Sequence, residues 1–493
     1  MSEQKTKFEI ACENRLRKVV IGELRAFGRR VGVSRPTDTN KASLIAAILD
    51  VFMGRAVAIP RSTRGAPVKA DYFDPQIAID VQKLWEEYMV GDVPAVSAEE
   101  AAAQMQRLQE ELGGEENVLI VRSSDVENLE KSVVVGQVQT VDGVSSLVPL
   151  SGEDFALKIL IKTEHIYGYA LREGDVITCR VQESGRSYFT VTSVLTINGV
   201  EPSSLTRFSF DEEDVFPPEK QIKLLTNTPA STVAKYFDWF IPLGAGQRAL
   251  LYGAPKTGKT QMLQSIAKSL VGREEYEVFV LLIEQPPETV STFKRIVGKD
   301  KVVASVYGDE AERHVAMAEL ALKRAKRFAE TGKDVLLLMD GIDNLGEAFN
   351  ELDSTEEDGK TPVQGLSSAT VRFVKKFFGA ARNFEKQGSL TIIAPAKHSL
   401  GNPASDFIAA ELLDMANCRI LLREDLAVKR IYPAIDLAAS SADQAEELLV
   451  EKATIERAMR NRILPKLGEE EVGSLLMQSE TVEEFVKAAN TKF

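Results

Sequence analysis

The stretch GAPKTGKT, Gly253 to Thr260, fits the pattern G-x-x-x-x-G-K-[ST] and constrains the fold more than any other part of this chain. It follows the apolar run RALLY and opens the helical pattern TQMLQSIAKSL. A strand feeding such a loop into a helix is built to hold phosphate. The glycines let backbone N–H groups approach phosphate oxygens, and the helix N-terminus adds a favourable field. A chance glycine-rich turn lacks these flanks. The nucleotide-binding set is therefore Gly253, Lys256, Thr257, Gly258, Lys259, Thr260 and Gln261, with Lys259 reaching the β- and γ-phosphates and Thr260 ligating Mg²⁺.

The runs RALLYG, VFVLLIE, VVASVYG, DVLLLMD and SLTIIAPA alternate with helical stretches between about 222 and 493. Near-continuous apolar strands separated by helices predict an α/β domain with a parallel sheet covered on both faces. DVLLLMD, Asp334 to Asp340, is a buried strand ending in an acid, the form in which a P-loop protein holds Mg²⁺ through water. A helix-capping aspartate is the alternative for Asp340, and its place after the loop in the same sheet favours the metal role. The run FVLLIEQPPETV raises a different question. The strand beside a P-loop commonly ends in a carboxylate that activates water, and here the tip reads Glu284-Gln285-Pro286.

The other segments have different periods. A chain of 493 residues exceeds one ordinary core, which predicts two to four domains. Residues 14–54 form a small helical unit, in which RKVVIGELRAFGRRVGV and KASLIAAILDVFMG flank the turn SRPTDTN. Residues 56–130 are a linker or insert containing the exposed helical stretch SAEEAAAQMQRLQEEL. From 131 to 198 the period becomes two, in β-branched runs divided by turns, which predicts a small closed barrel of the OB type. EPSSLTRFSFDEEDVFPPEK reads as a connector to the 222–493 domain.

Composition excludes several classes. No apolar run reaches the ~18–20 residues a membrane span needs, and the first residues form no signal peptide, so the chain is expected to be cytoplasmic with no membrane partner. Cys12, Cys179 and Cys418 lie far apart, as do His165, His314 and His398, which disfavours a disulfide framework or a zinc site. A net charge of −13 argues against an all-basic surface, though a ring or channel can still concentrate Lys and Arg on one face.

Four stretches carry a family resemblance: FIPLGAGQRALLYGAPKTGKTQMLQSIAKSL, ERHVAMAELALKRAKRF, FFGAARNFEKQGSLTIIA and KRIYPAID. They resemble the bacterial transcription termination factor Rho family, hexameric RNA-dependent ATPases and helicases with a RecA-type core. The order of helical unit, barrel and core is also that family's. The resemblance implies ATP and Mg²⁺ as cofactors and single-stranded RNA as a partner. It further implies assembly as a homo-hexamer, with RNA polymerase and its elongation factors as further partners. It extends the nucleotide contacts to Gly244, Ala245, Gly246, Gln247, Arg248, Ala249 and Pro286. For RNA it points to Tyr188 and Phe189 on the barrel and to Lys360 in the segment resembling a central-channel loop.

Departures from the family pattern fall at functional positions. The family's strand tip D-E-R-P has a catalytic Glu and a nucleotide-facing Arg where this chain has Gln285 and Pro286. An amide is no useful proton acceptor, although a glutamine can orient a water. The family's D-S-I-T-R is DGIDN, so Gly341 and Asn344 replace Ser and Arg after Asp340. Its arginine finger aligns with Gln444, and Arg423 and Arg430 are candidates to supply one from another position. Val144 and Ser146 stand where the barrel's stacking rings belong, and Leu413 aligns with a channel-loop lysine. The catalytic set is then Asp340, Glu284 and Gln285, with Glu284 the one substitute base if the strand end shifts to present it. The leading expectation is a Rho-like, ring-forming terminator that binds ATP and RNA with reduced hydrolysis. The alternative is a catalytically silenced paralogue acting as a regulatory or scaffold subunit. A different RecA-type machine is disfavoured by the barrel and by FFGAARN.

Overall fold

The computed structural model describes residues 7–31, 33, 40–52, 81, 118–119, 133–141, 143–150, 158–185, 188–225, 231–353, 365–385, 388–398, 401–442 and 467–491. The chain divides into two compact units, Met1–Pro149 with Glu153–Thr206, and Leu150–Gly152 with Arg207–Phe493. The stretch SAEEAAAQMQRLQEEL, Lys360 and Gln444 lie outside the described residues.

The first unit starts with helices α1 (Lys7–Arg17), α2 (Ile21–Val31) and α3 (Lys41–Phe52). Leu16, Leu24, Phe27, Leu44 and Ile48 recur at helical spacing and are buried together. Asn40 caps α3 by accepting from Ser43 N at 2.8 Å, the cap expected of the SRPTDTN turn. Two details differ from the sequence reading. Helix begins at Lys7, ahead of residue 14, and the chain turns between Arg17 and Ile21 instead of running on. β-Branched Val19 and Val20 are poor helix formers, and Val19 is buried by the turn.

The barrel strands are β1 (Val118–Leu119), β2 (Val133–Val141), β3 (Val144–Val148), β4 (Lys158–Leu160), β5 (Val176–Gly185) and β6 (Tyr188–Ile197). Their order is β1-β2-β3-β4-β6-β5, and β2 also pairs with β5. The five strands β2 to β6 therefore close on themselves, with β1 added at β2 and a short helix, Thr163–Gly168, between β4 and β5. This is the OB-type barrel predicted from the period-two runs.

In the second unit the strands are β7 (Val215–Phe216), β8 (Arg248–Gly253), β9 (Tyr276–Gln285), β10 (Val302–Val306), β11 (Asp334–Asp340), β12 (Arg382–Phe384), β13 (Ser389–Lys397) and β14 (Cys418–Leu421). Six of them run parallel in the order β10-β9-β11-β13-β8-β14. The interior of β9, β11 and β13 is buried along nearly its whole length, so both sheet faces are covered, as the apolar runs predicted. Each buried Leu, Ile or Val there contributes about 1.5–3 kcal/mol. β7 belongs to the segment read as a connector. It pairs antiparallel with β12, and Phe208 and Phe210 pack on Phe384 with ring centroids 4.8 and 4.9 Å apart. From Arg207 onward the connector is thus part of this unit, whose start lies ahead of residue 222. Among the described residues no helix is long and apolar enough to cross a membrane.

Candidate nucleotide site

In a parallel α/β sheet the loops at the carboxyl ends of the strands form the ligand crevice. Here β8 ends in the P-loop, β9 in Glu284-Gln285, β11 in Asp340 and β13 in Lys397. The P-loop runs into helix α4 (Lys259–Leu270), whose N-cap is Gly258 at φ +95°. Only glycine adopts that angle without strain. Lys256 is exposed at φ +65°, Thr257 is buried and donates to the Ala254 carbonyl at 2.8 Å, and Gln261 is exposed on the first turn of α4.

Lys259 donates to the carbonyls of Gly253 and Ala254, both at 2.7 Å, and to Thr257 Oγ1 at 3.3 Å. Burial lowers its pKa to about 8, against the pull of Asp343 and Asp340. The Thr260 hydroxyl donates to Asp340 Oδ2 at 2.6 Å, which joins the loop to β11. Burial raises the Asp340 carboxyl to about 6, partly offset by that hydrogen bond. A hydroxyl and a carboxylate side by side are hard oxygen donors suited to Mg²⁺, which takes few protein ligands and keeps waters and phosphates for the rest.

The tip of β9 is irregular. Ala304 pairs with Leu282, but Val306 pairs with Gln285, so β9 carries one extra residue there. Glu284 sits in that bulge at φ +53°, half-buried. Gln285 Nε2 donates to the Ile283 carbonyl at 3.2 Å, and Asn344 Nδ2 donates to the same carbonyl at 3.2 Å. Gln285 and Asn344 therefore meet at one backbone oxygen. Pro286 caps helix α5 (Pro287–Val297) at its N-terminus.

Asp343 and Asn344 begin helix α6 (Ile342–Leu352), just after Asp340. Lys397 donates to Asn344 Oδ1 at 2.7 Å and lies 3.2 Å from Asp343 Oδ2. Burial opposes its charge, but Asp343, Glu347 and Asp340 together outweigh this and raise its pKa. Neither Asp343 nor Lys397 emerged from the sequence as a site residue. A lysine ending a buried apolar strand next to the P-loop strand was the available signal. Tyr432 also lies beside the loop: a Cβ placed on Gly258 would lie 3.2 Å from its ring, which is about half exposed.

The chain matches the nucleotide-binding domain of the ATP synthase alpha/beta family over residues 234–442. It is 36% identical to Transcription termination factor Rho 1 of Ehrlichia chaffeensis over 66% of this chain and 78% of that one. It is also 36% identical to Rho of Cereibacter sphaeroides over 68% and 81%, and 37% identical to Rho of Bacillus subtilis over 64% and 74%. The chain belongs to the Rho transcription termination factor family.

In this Rho-family core, the six residues Gly244 to Ala249 lie at the other end of the P-loop strand. They lead into β8 at its amino end, about 16 Å of extended chain from Gly253. Gln247 is fully buried and accepts from Gly244 N at 2.7 Å; Gly246 N donates to Thr391 Oγ1 at 2.8 Å. Arg248 Nε donates to the Met415 carbonyl at 2.8 Å, and Ala249 is buried between β13 and β14. A Cβ on Gly246 would lie 2.4 Å from Asn383 N, so glycine is required there by packing. Within one subunit these residues set the start of the strand, at the opposite end from the P-loop.

The barrel pair divides too. Tyr188 is 39% exposed, whereas Phe189 is 5% exposed and packs in the barrel core. A base cannot stack on a ring that is already covered, which corrects the pairing of the two as RNA contacts. Val144 is exposed on β3 and Ser146 is half-buried. Arg423 is committed to Asp425 through two hydrogen bonds at 2.9 and 2.6 Å, while Arg430 is exposed at φ +61°.

Proposed function

We propose that the protein is a ring-forming, RNA- and ATP-binding transcription terminator whose hydrolysis is reduced relative to family members with an acidic strand tip. The observation that carries this reading is the contrast at the carboxyl end of the sheet. Lys259, Thr260 and Asp340 are held together there, while the β9 tip offers an amide, Gln285, where the family has its base. Lys259 would hold the β- and γ-phosphates, and Thr260 and Asp340 would hold Mg²⁺, which when bound supplies charge neutralisation at the transferring phosphate. Tyr432 gives the base of the nucleotide a flat surface beside Gly258. Gln285 can orient a water without taking its proton. Glu284, displaced by its bulge, is the acid closest in sequence to that role.

RNA binding rests on Tyr188 and on the channel lysine Lys360. With fewer stacking rings than the family pattern, it should depend steeply on salt. The test is ATP turnover with and without pyrimidine-rich single-stranded RNA, in wild type and in Glu284→Gln. Low RNA-stimulated turnover that falls further in Glu284→Gln is expected. Family-typical turnover unchanged by Glu284→Gln would overturn the reduced-engine reading. Complete absence of turnover, with ATP binding intact, would favour the regulatory-subunit alternative.

A further inference from the structure

β13 lies between the P-loop strand β8 and the acid strand β11. Its last residue, Lys397, is the register partner of Gly253, where the P-loop begins. Its ammonium is held from one side by Asn344 Oδ1 at 2.7 Å and by Asp343 Oδ2 at 3.2 Å. Asn344 is itself fixed to the Ile283 carbonyl, so the lysine is aimed by a side chain that cannot swing freely. An ammonium has three donors, and these two contacts account for two of them. The Lys397 side chain remains 39% exposed.

A plain structural ion pair would satisfy Asp343 and end there. Asp343 Oδ1, however, is buried without a hydrogen-bond partner among the described residues, so the pair is not closed on itself. Lys397 also interacts electrostatically with both Lys259 and Asp340, the phosphate and Mg²⁺ candidates. The Rho pattern carries an arginine at the position of Asn344. In this chain a cation arrives from the neighbouring strand and binds the very side chain that replaced it.

We propose that Lys397 is a second phosphate-reading lysine, positioned by Asn344 and Asp343 to favour a nucleoside triphosphate over a diphosphate. This rests on the nucleotide reading of the site. The charge added by the third phosphate is what a cation at the tip of β13 would read, whereas Lys259 serves both nucleotides through the loop.

The experiment is equilibrium binding of a non-hydrolysable Mg²⁺–ATP analogue and of Mg²⁺–ADP to the full chain. Lys397→Gln should weaken the analogue about tenfold more than ADP, the order expected for one lost charge-assisted hydrogen bond. Because Lys397→Gln leaves Asp343 buried without its cation, the neutral pair Lys397→Gln with Asp343→Asn is measured alongside and should show the same selective loss. Returning the charge to α6, with Asn344→Arg and Lys397→Ala, should restore the preference. Equal weakening of both nucleotides, or no change in either, would overturn the proposal while leaving the nucleotide site standing. Wild type that binds neither nucleotide would overturn both.

Discussion

The P-loop and the tip of β9 lie at the same end of one sheet but are built differently. At the P-loop, Lys259 is tied to three oxygens of its own loop, and Thr260 is tied to Asp340 across to β11. At the tip of β9, the Gln285 side chain donates to the carbonyl two residues back, and Glu284 occupies a bulge with a left-handed backbone. Holding phosphate depends on backbone N–H groups and one anchored lysine, so it tolerates change elsewhere. Activating water depends on the identity of one side chain at the end of one strand. Binding can therefore persist where the residue at the strand tip changes.

The most severe test of that contrast introduces an acid at the β9 tip together with an arginine. Gln285→Glu with Gln444→Arg should raise RNA-stimulated ATP turnover at least ~100-fold, since an arginine finger alone contributes about 10³–10⁵ in other nucleotide hydrolases. The two changes act on one transition state and need not multiply. Steady-state turnover of the double variant beside wild type is the measurement. If the double variant changes nothing, the β9 tip does not limit the rate.

A second test uses pH. Asp340 has a folded pKa near 6, raised by burial above the ordinary carboxylate value of 3.8. The folded state thus binds the proton more tightly than the unfolded chain. The favourable contribution of the protonated carboxyl is present below about pH 4 and is lost as pH rises through 6. At pH 7 the ionised carboxylate should cost on the order of 2–3 kcal/mol. Asp340→Asn should therefore raise the thermal midpoint of the nucleotide-free protein at pH 7 and give no such gain at pH 4. Equal effects at both pH values would show that Asp340 is not strained by its burial.

A third comparison isolates binding. Lys259→Ala should weaken a fluorescent ATP analogue at least tenfold, about 1.4 kcal/mol or more. Glu284→Gln should leave the same titration unchanged. If both variants bind alike, the division between a binding half and a turnover half collapses.

Which residues were legible in the sequence follows from how each is brought to the site. Gly253 to Thr260 and Asp340 could be read because a local spacing carries their chemistry, with the flanking strand and helix in the same stretch. Lys397 and Asp343 could not, because they meet only through the register of β13 beside β8 and β11. The left-handed backbone of Glu284 comes from an extra residue against β10, which no composition reveals. Gly244 to Ala249 stand differently, because the family resemblance alone offered them as nucleotide contacts. A resemblance spanning a whole strand does not say which end of that strand faces the ligand. The barrel and the parallel sheet were legible because period two and unbroken apolar runs are properties of single strands.

The smallest expected effect on binding concerns the barrel, where alternation along one strand separates binding from stability. Side chains on β6 alternate between faces, so Tyr188 is exposed and Phe189 enters the core with Val191. Tyr188→Ala removes a stacking surface and little packing. It should weaken binding of single-stranded RNA by about 1 kcal/mol, the lower end for one base–aromatic contact, with the salt dependence unchanged because no phosphate contact is lost. Phe189→Ala should instead destabilise the barrel by about 3–5 kcal/mol, the range for emptying a buried aromatic site. Any loss of RNA binding in Phe189→Ala should then follow the loss of folded barrel measured by circular dichroism. Should folded Phe189→Ala lose more RNA affinity than Tyr188→Ala, the ring in the core would have to be reaching the RNA, and the assignment of the two faces of β6 would be wrong.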